Sequence, residues 1–269
     1  MESHNQEKGR IYIRIGRHHL SFSTIDMSQA ENPITYEPYV VRSGISMAAN
    51  MREALKAADL KERGLRKAMV MVDVPMLLIP VEQFEEQTMG EMFHHAFPKR
   101  EQEQMLYNVL PDLNVVCVFA INKDQYTVLT DNFADVKVVA ALSPVWRHLY
   151  RRTFTSTHHK LYGYFHDQKL DIFAFQQNRF KFYNQFETTR PHDALYFLLY
   201  VWNQLMLNQN HDELYLVGDI PERDWMTEEL KKYVEKVNVI NPAEDLEGAP
   251  ATQVKNMPYD LMTLLTKGR

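Results

Sequence analysis

Apolar and polar residues alternate along Arg10-Ile11-Tyr12-Ile13-Arg14-Ile15 and again along Leu20-Ser21-Phe22-Ser23-Thr24-Ile25, with a break over Gly16–His19. A period of two predicts half-buried strands, here joined as a hairpin. A third strand, centred on Tyr36–Val41, follows a turn at Asn32-Pro33. The period then changes to the helical one. Met47, Met51, Leu55 and Ala58 recur behind Ser46, a side chain suited to cap a helix, and Gly64 lies past the end. Further strands are predicted at Ala68–Val72, Met76–Val81, Val115–Ile121 and Val136–Leu142. Helices are predicted over Glu85–Phe97, Asp124–Phe133 and, with Pro144 in the first turn, Trp146–Phe154.

The second half repeats this scheme. Lys160–Phe165, Leu170–Phe175 and Phe180–Phe186 read as a three-stranded meander. A helix over Pro191–Leu207, a strand at Glu213–Val217, a helix at Trp225–Glu235 and a strand at Val237–Ile240 follow. The meanders also match at an offset of 150: Arg10 with Lys160, Ile11 with Leu161, Tyr12 with Tyr162, Leu20 with Leu170, Phe22 with Ile172. The expectation is an α/β chain built from a duplicated unit. The competing one is a single mixed α/β domain without duplication.

Composition narrows the function classes. Only 9 of 269 residues are glycine, about half the usual frequency of roughly 7%. Phosphate loops built from several glycines, which let the backbone turn sharply and approach a ligand, are therefore disfavoured. The charged fraction of 24% and apolar fraction of 45% are those of a globular protein, and 14 Tyr, 14 Phe and 3 Trp argue against widespread disorder. A net charge of -5 leaves no global basic field for nucleic acid or an anionic membrane. Cys117 is the sole cysteine and sits in the apolar run Val115–Phe119, so it reads as buried and inert, in keeping with a reducing cytoplasm. Residues 1–9 are polar, which predicts a disordered tail and no signal peptide, and no apolar stretch approaches the ~20 residues of a membrane span.

A duplicated unit of three antiparallel strands followed by strand–helix alternation resembles the actin-like ATPase (ribonuclease H-like) fold. The chain is also similar in texture to a family of uncharacterised bacterial proteins known only as a domain of unknown function. The resemblance covers roughly residues 10–242. It implies a lobe over 10–157, a second over 158–242, and a tail with a short helix over 243–269. It also implies three places for chemistry in an interlobe cleft. The first hairpin of active members carries Asp-x-Gly, whose carboxylate organises a hydrated metal while turn amides meet phosphates. Here the segment is Arg14-Ile15-Gly16-Arg17, with Arg14 in place of the carboxylate. The second hairpin reads Tyr164-Phe165-His166-Asp167, with Asp167 displaced from the motif. The third place, a strand ending in paired glycines where adenosine packs, is Val217-Gly218-Asp219, with Asp219 replacing the second glycine.

Arg14, Gly16, Asp167, Gly218 and Asp219 are thus the positions of a degenerate nucleotide site, and the expected cofactor is none. The alternative is a divergent ATPase or phosphotransferase that binds Mg-ATP weakly through Asp167 or Asp219. Loss of the metal-holding carboxylate removes the main stabiliser of a transferred phosphoryl group. What then remains is a cytoplasmic scaffold or interaction protein with an unidentified protein partner, without membrane insertion and with nucleic acid disfavoured. Actin-like members of secretion and pilus systems act as docking modules of this kind.

Other constellations carry less. No Gly-x-Ser-x-Gly occurs. The pairs His18-His19, His94-His95 and His158-His159 lack the spacing of a helical metal motif. Asp73 at a strand end reads as a turn residue ahead of Pro75. The basic cluster Arg147, Arg151, Arg152 reads as a solvated helix face or as a patch for an acidic partner. Met89, Met92, Phe93 and Phe97 form a stripe at helical spacing, the best candidate contact surface, although a stripe of this kind usually faces inward and the core reading is favoured. The helix Pro191–Leu207, apolar nearly all round, is expected to be buried. The helix near Met257–Leu265 is expected to dock on the first lobe or to bind another protein.

Overall fold

The computed structural model describes residues 9–26, 28–29, 33–57, 64–153, 158–176 and 179–267. The expected disordered tail, apart from Gly9, lies outside them, as do Asn32, Ala58 and Phe154. Contacts divide the chain into two units. The first ends at Leu110 and resumes over Val116–Ser143; the second comprises Pro111–Val115 and everything from Pro144.

In unit 1 the meander is β1 (Arg10–Ile15), β2 (His19–Ile25) and β3 (Ile34–Val40). The helix α1 (Met47–Ala57) starts where the Ser46 hydroxyl accepts a hydrogen bond from the Ala49 N–H, and it buries Ala48, Met51, Ala54 and Leu55. Strand β4 (Lys67–Val72) lies parallel to β1, with Arg10 opposite Lys67 and Ile15 opposite Val72. An insertion follows: β5 (Met76–Pro80), α2 (Met89–Ala96), β6 (Glu103–Leu110) and β7 (Val115–Asn122). Its three strands form a separate sheet in the order β5-β7-β6. The chain returns through α3 (Lys123–Asn132), capped by Asn122, to β8 (Asp135–Ala140), which pairs parallel with β4. The main sheet runs β3-β2-β1-β4-β8.

Unit 2 has the same plan. After α4 (Ser143–Arg151) come β9 (Lys160–His166), β10 (Lys169–Gln176), β11 (Arg179–Glu187), α5 (Pro191–Gln204), β12 (Glu213–Gly218), α6 (Arg223–Lys231) and β13 (Lys236–Val239). The sheet order β11-β10-β9-β12-β13 is that of unit 1, element for element, so the duplication is real. The strand β6, whose polar run Glu103-Gln104 hides its period, is absent from the sequence expectation.

One face of the second sheet places Leu161, Phe165, Leu170 and Ile172 against Ala194, Leu198, Val201 and Trp202 of α5 and Met226 and Leu230 of α6. A side chain at Gly163 would press on Leu198 at 3.0 Å, so this glycine sets how closely α5 approaches. The other face is aromatic: Tyr162 stacks on Phe173 at 5.4 Å, and Trp146 of α4 stands edge-on to Tyr183 at 5.0 Å.

One expectation changes. Helix α5 is not buried all round, because Tyr196 and Tyr200 are 61% and 48% exposed; their hydroxyls let large rings face water. The favoured core reading of the methionine stripe holds for three of its four residues: Phe93 is buried, and Met89 and Phe97 pack with it against Ile79, Val116 and Val118 of the insertion, while Met92 is exposed. The basic cluster keeps the solvated-face reading: its three arginines stay half-exposed, Arg147 and Arg151 pairing with Asp112 and Arg152 with Asp245 within unit 2.

The C-terminal segment forms α7 (Pro242–Asp245) and α8 (Tyr259–Lys267) and groups with unit 2. The Asp245 carboxylate holds it. His148 Nε2 lies 2.7 Å away, the Tyr259 hydroxyl donates at 2.6 Å, and Arg152 completes the set. Burial raises the Asp245 pKa, but the hydrogen bonds from His148 and Tyr259 and the charges of His148 and Arg152 outweigh it, so the carboxyl sits below its usual 3.8. Its contribution to stability is therefore complete above that value and disappears as pH falls through the lower folded value. Asp245→Ala should cost about 2–4 kcal/mol in urea denaturation at pH 7, and the difference from wild type should shrink as the pH is taken below 4.

Candidate functional site

In unit 1 the first hairpin turn is closed by the Gly16 N–H donating to the His19 carbonyl at 2.8 Å. Arg14, two residues earlier on the strand, is only 2% exposed, between Ser21 of β2 and Met71 of β4. A guanidinium keeps its charge under all ordinary conditions. The position where the resemblance calls for a carboxylate therefore holds a buried, permanent cation. Beside it, the Asp73 N–H donates to the Ile15 carbonyl at 2.9 Å, fixing the end of β4 against the end of β1.

In unit 2 the equivalent hairpin turns through Asp167 and Gln168, both left-handed at φ 47° and 60°. A two-residue turn of this hand favours Asn-Gly, so the pair is held there by its surroundings. The chief restraint is a polar network on the same face. Asp171 of β10 is fully buried. Its Oδ2 lies 2.5 Å from His166 Nε2, and its Oδ1 accepts from the Tyr183 hydroxyl and the Gln185 amide, both at 3.1 Å. His166 stacks on Tyr164 at 4.6 Å, and the Tyr164 hydroxyl accepts from the Asp260 N–H of α8. Buried carboxylates need partners of this kind. Tyr164 and His166, the residues where the resemblance calls for Asp and Gly, are thus engaged with groups of this chain.

Gly218 ends β12 at φ 93°, a conformation open to glycine. A Cβ there would run into the Phe165 carbonyl oxygen and the Tyr164 ring, the latter at 2.9 Å. The next N–H, of Asp219, donates to that Phe165 carbonyl at 2.9 Å, and the Asp219 side chain is exposed. The close approach of β12 to β9 accounts for the glycine without any ligand. Asp167, Gly218 and Asp219 are brought to one end of the second sheet; Arg14, Gly16 and Asp73 lie at the matching end of the first.

The register also reveals a repeat that the sequence reading missed. Asp73 and Asp219 make the same hydrogen bond in equivalent strands, and their segments, Asp73-Val74-Pro75 and Asp219-Ile220-Pro221, match at an offset of 146. The signal was present as Asp, a β-branched residue and Pro after an apolar run, but the offset differs from that of the meanders. Asp171 and Asp245 were missed outright, because their partners come from other strands and helices. Cys117 is fully buried, and burial pushes its thiol far above the usual range, as expected of an inert residue.

Two sheets of one order, each a meander followed by parallel strands, make this a protein of actin-like ATPase fold. A Bacteroides thetaiotaomicron protein with that fold and unknown function has a crystal structure similar to it at 28% identity and a TM-score of 0.80, covering 93% of this chain and 98% of that one. The chain belongs to the DUF3822 family, described as a protein of unknown function, whose profile matches residues 1–237. A structure of the PilM–PilN type IV pilus biogenesis complex is similar at 13% identity and a TM-score of 0.50, over 88% of this chain and 89% of that one. No curated protein matches the chain. Among the described residues, no helix is long and apolar enough to cross a membrane.

Gly218→Ala should destabilise the protein by about 3 kcal/mol, from strain at positive φ added to the clash. Denaturant titration of the two proteins measures it.

Proposed function

We propose that this protein is a non-catalytic, cytoplasmic interaction protein whose actin-like nucleotide site has degenerated and takes no cofactor. The observation that carries the reading is Arg14, a buried cation where a metal-organising carboxylate would stand. A positive charge there repels Mg²⁺ and leaves a transferring phosphoryl group without its stabiliser. The network of His166, Asp171, Tyr183 and Gln185 supports it from the second hairpin, since those groups spend their hydrogen bonds on one another. The PilM–PilN complex supports the interaction role by analogy of fold.

A second reading rests on the repeated Asp73 and Asp219. Carboxylates at the ends of parallel strands stand where α/β proteins bind ligands, and a divergent Mg-ATP-binding protein would use them.

Calorimetry with Mg-ATP separates the two. The expected result is no saturable heat in the micromolar range and no phosphate release. Saturable binding that Asp219→Asn or Arg14→Ala abolishes would establish the second reading. An affinity pull-down from the native cell should recover a reproducible protein partner.

A further inference from the structure

Strands β8 and β13 are the outermost strands on the same side of the two equivalent sheets, and register aligns them residue by residue. Lys67, opposite Arg10, faces Asp135; Glu213, opposite Lys160, faces Lys236. Asp135 therefore corresponds to Lys236, Val138 to Val239 and Ala140 to Asn241. The N–H and C=O of one strand residue point to the same side, and the side alternates along the strand. Ile240 turns inward, its N–H donating to the Leu216 carbonyl, so Val239 and Asn241 turn outward.

In unit 1 the corresponding outward groups are taken. The Asn108 side chain of β6 bridges them like a peptide unit, its Nδ2 donating to the Val138 carbonyl at 2.9 Å and its Oδ1 accepting from the Ala140 N–H at 2.9 Å. Asn108 stands between the exposed Tyr107 and Val109. Among the described residues, unit 2 has no strand corresponding to β6. No hydrogen bond within the described residues reaches the Val239 carbonyl or the Asn241 N–H. The Asn241 side chain is turned away to cap α7, accepting from the Ala243 N–H. Val239 is 37% exposed and Tyr233, at the end of α6, is 56% exposed. Sheet edges of this kind are ordinarily blunted or covered.

We propose that the edge of β13 is a docking site for an extended segment of a partner protein that carries an asparagine between apolar residues. The partner asparagine bridges the Val239 carbonyl and the Asn241 N–H, repeating what Asn108 does for β8. Its apolar neighbours cover Val239 and Tyr233. This is strand addition in which the specificity comes from a side-chain amide. The inference rests on the interaction role proposed above and gives it a surface and a partner chemistry.

The test uses the full chain and a fluorescent peptide with the sequence of residues 103–110, extended with lysines for solubility. Fluorescence anisotropy should show saturable binding. A peptide with Asn108→Ala should bind about fivefold more weakly or worse, the loss of a hydrogen-bonded pair. Hydrogen exchange should show new protection of the Asn241 amide. On the protein side, Asn241→Pro removes the donor and should abolish binding, while Asn241→Ser keeps both the donor and a helix cap and should retain it. Because the peptide substitution leaves the protein untouched, the result does not depend on how Asn241→Pro folds. Absence of saturable binding, indifference to Asn108→Ala, protection at another edge, or self-association through β13 would each overturn the proposal. A native partner captured by the protein whose protection maps away from β13 would also overturn it while leaving the interaction role standing.

Discussion

The structure depends on one backbone arrangement made twice: a parallel strand laid against the first strand of a meander and pinned at its end by an N–H from aspartate. Asp73 donates to Ile15 and Asp219 to Phe165. Those hydrogen bonds set where each hairpin turn lies relative to each strand end, and so which side chains share a site. In unit 2 the approach is close enough that the strand must finish in a glycine with positive φ. The same closeness brings Tyr164 under that strand end. The Asp-x-Pro segments follow from the constraint as well, since proline cannot continue the ladder once the aspartate N–H has been spent.

Around that frame the two units use charge in opposite ways. Unit 1 buries a cation, Arg14, at its hairpin. Unit 2 buries a carboxylate, Asp171, beside its hairpin and surrounds it with an imidazole, a phenol and an amide. A second buried carboxylate, Asp245, ties α4, α7 and α8 together. Buried ionised groups are tolerated only with partners. These clusters therefore act as geometric locks. They hold the second hairpin and the C-terminal segment in place.

The meanders, the strand–helix alternation and the duplication were legible from the spacing of apolar residues, because a half-buried strand must alternate and an amphipathic helix must repeat near every third or fourth position. The identities of Arg14, Tyr164 and His166 at the hairpin positions were equally legible. Strand β6 was not, since the polar run Glu103-Gln104 at its start hides its period. The exposed face of α5 was misread because Tyr counts as apolar in a pattern while its hydroxyl can meet water. The ion pairs of the basic cluster were not legible because its partners, Asp112 and Asp245, lie 35 to 93 positions away along the chain.

By itself, then, the sequence determined the local periodicities, the repeated order of elements and the chemical identity of each candidate position. Only the tertiary structure decided what those positions do. It showed Arg14 buried, Gly218 required by backbone contact, Asp171 and Asp245 fully engaged, and Asn108 closing a sheet edge whose counterpart stays open. The physical reason is that periodicity reports which face of an element leaves water, a property of neighbours in sequence. Pairing of buried charges and coverage of a sheet edge depend on groups that only the folded chain brings together.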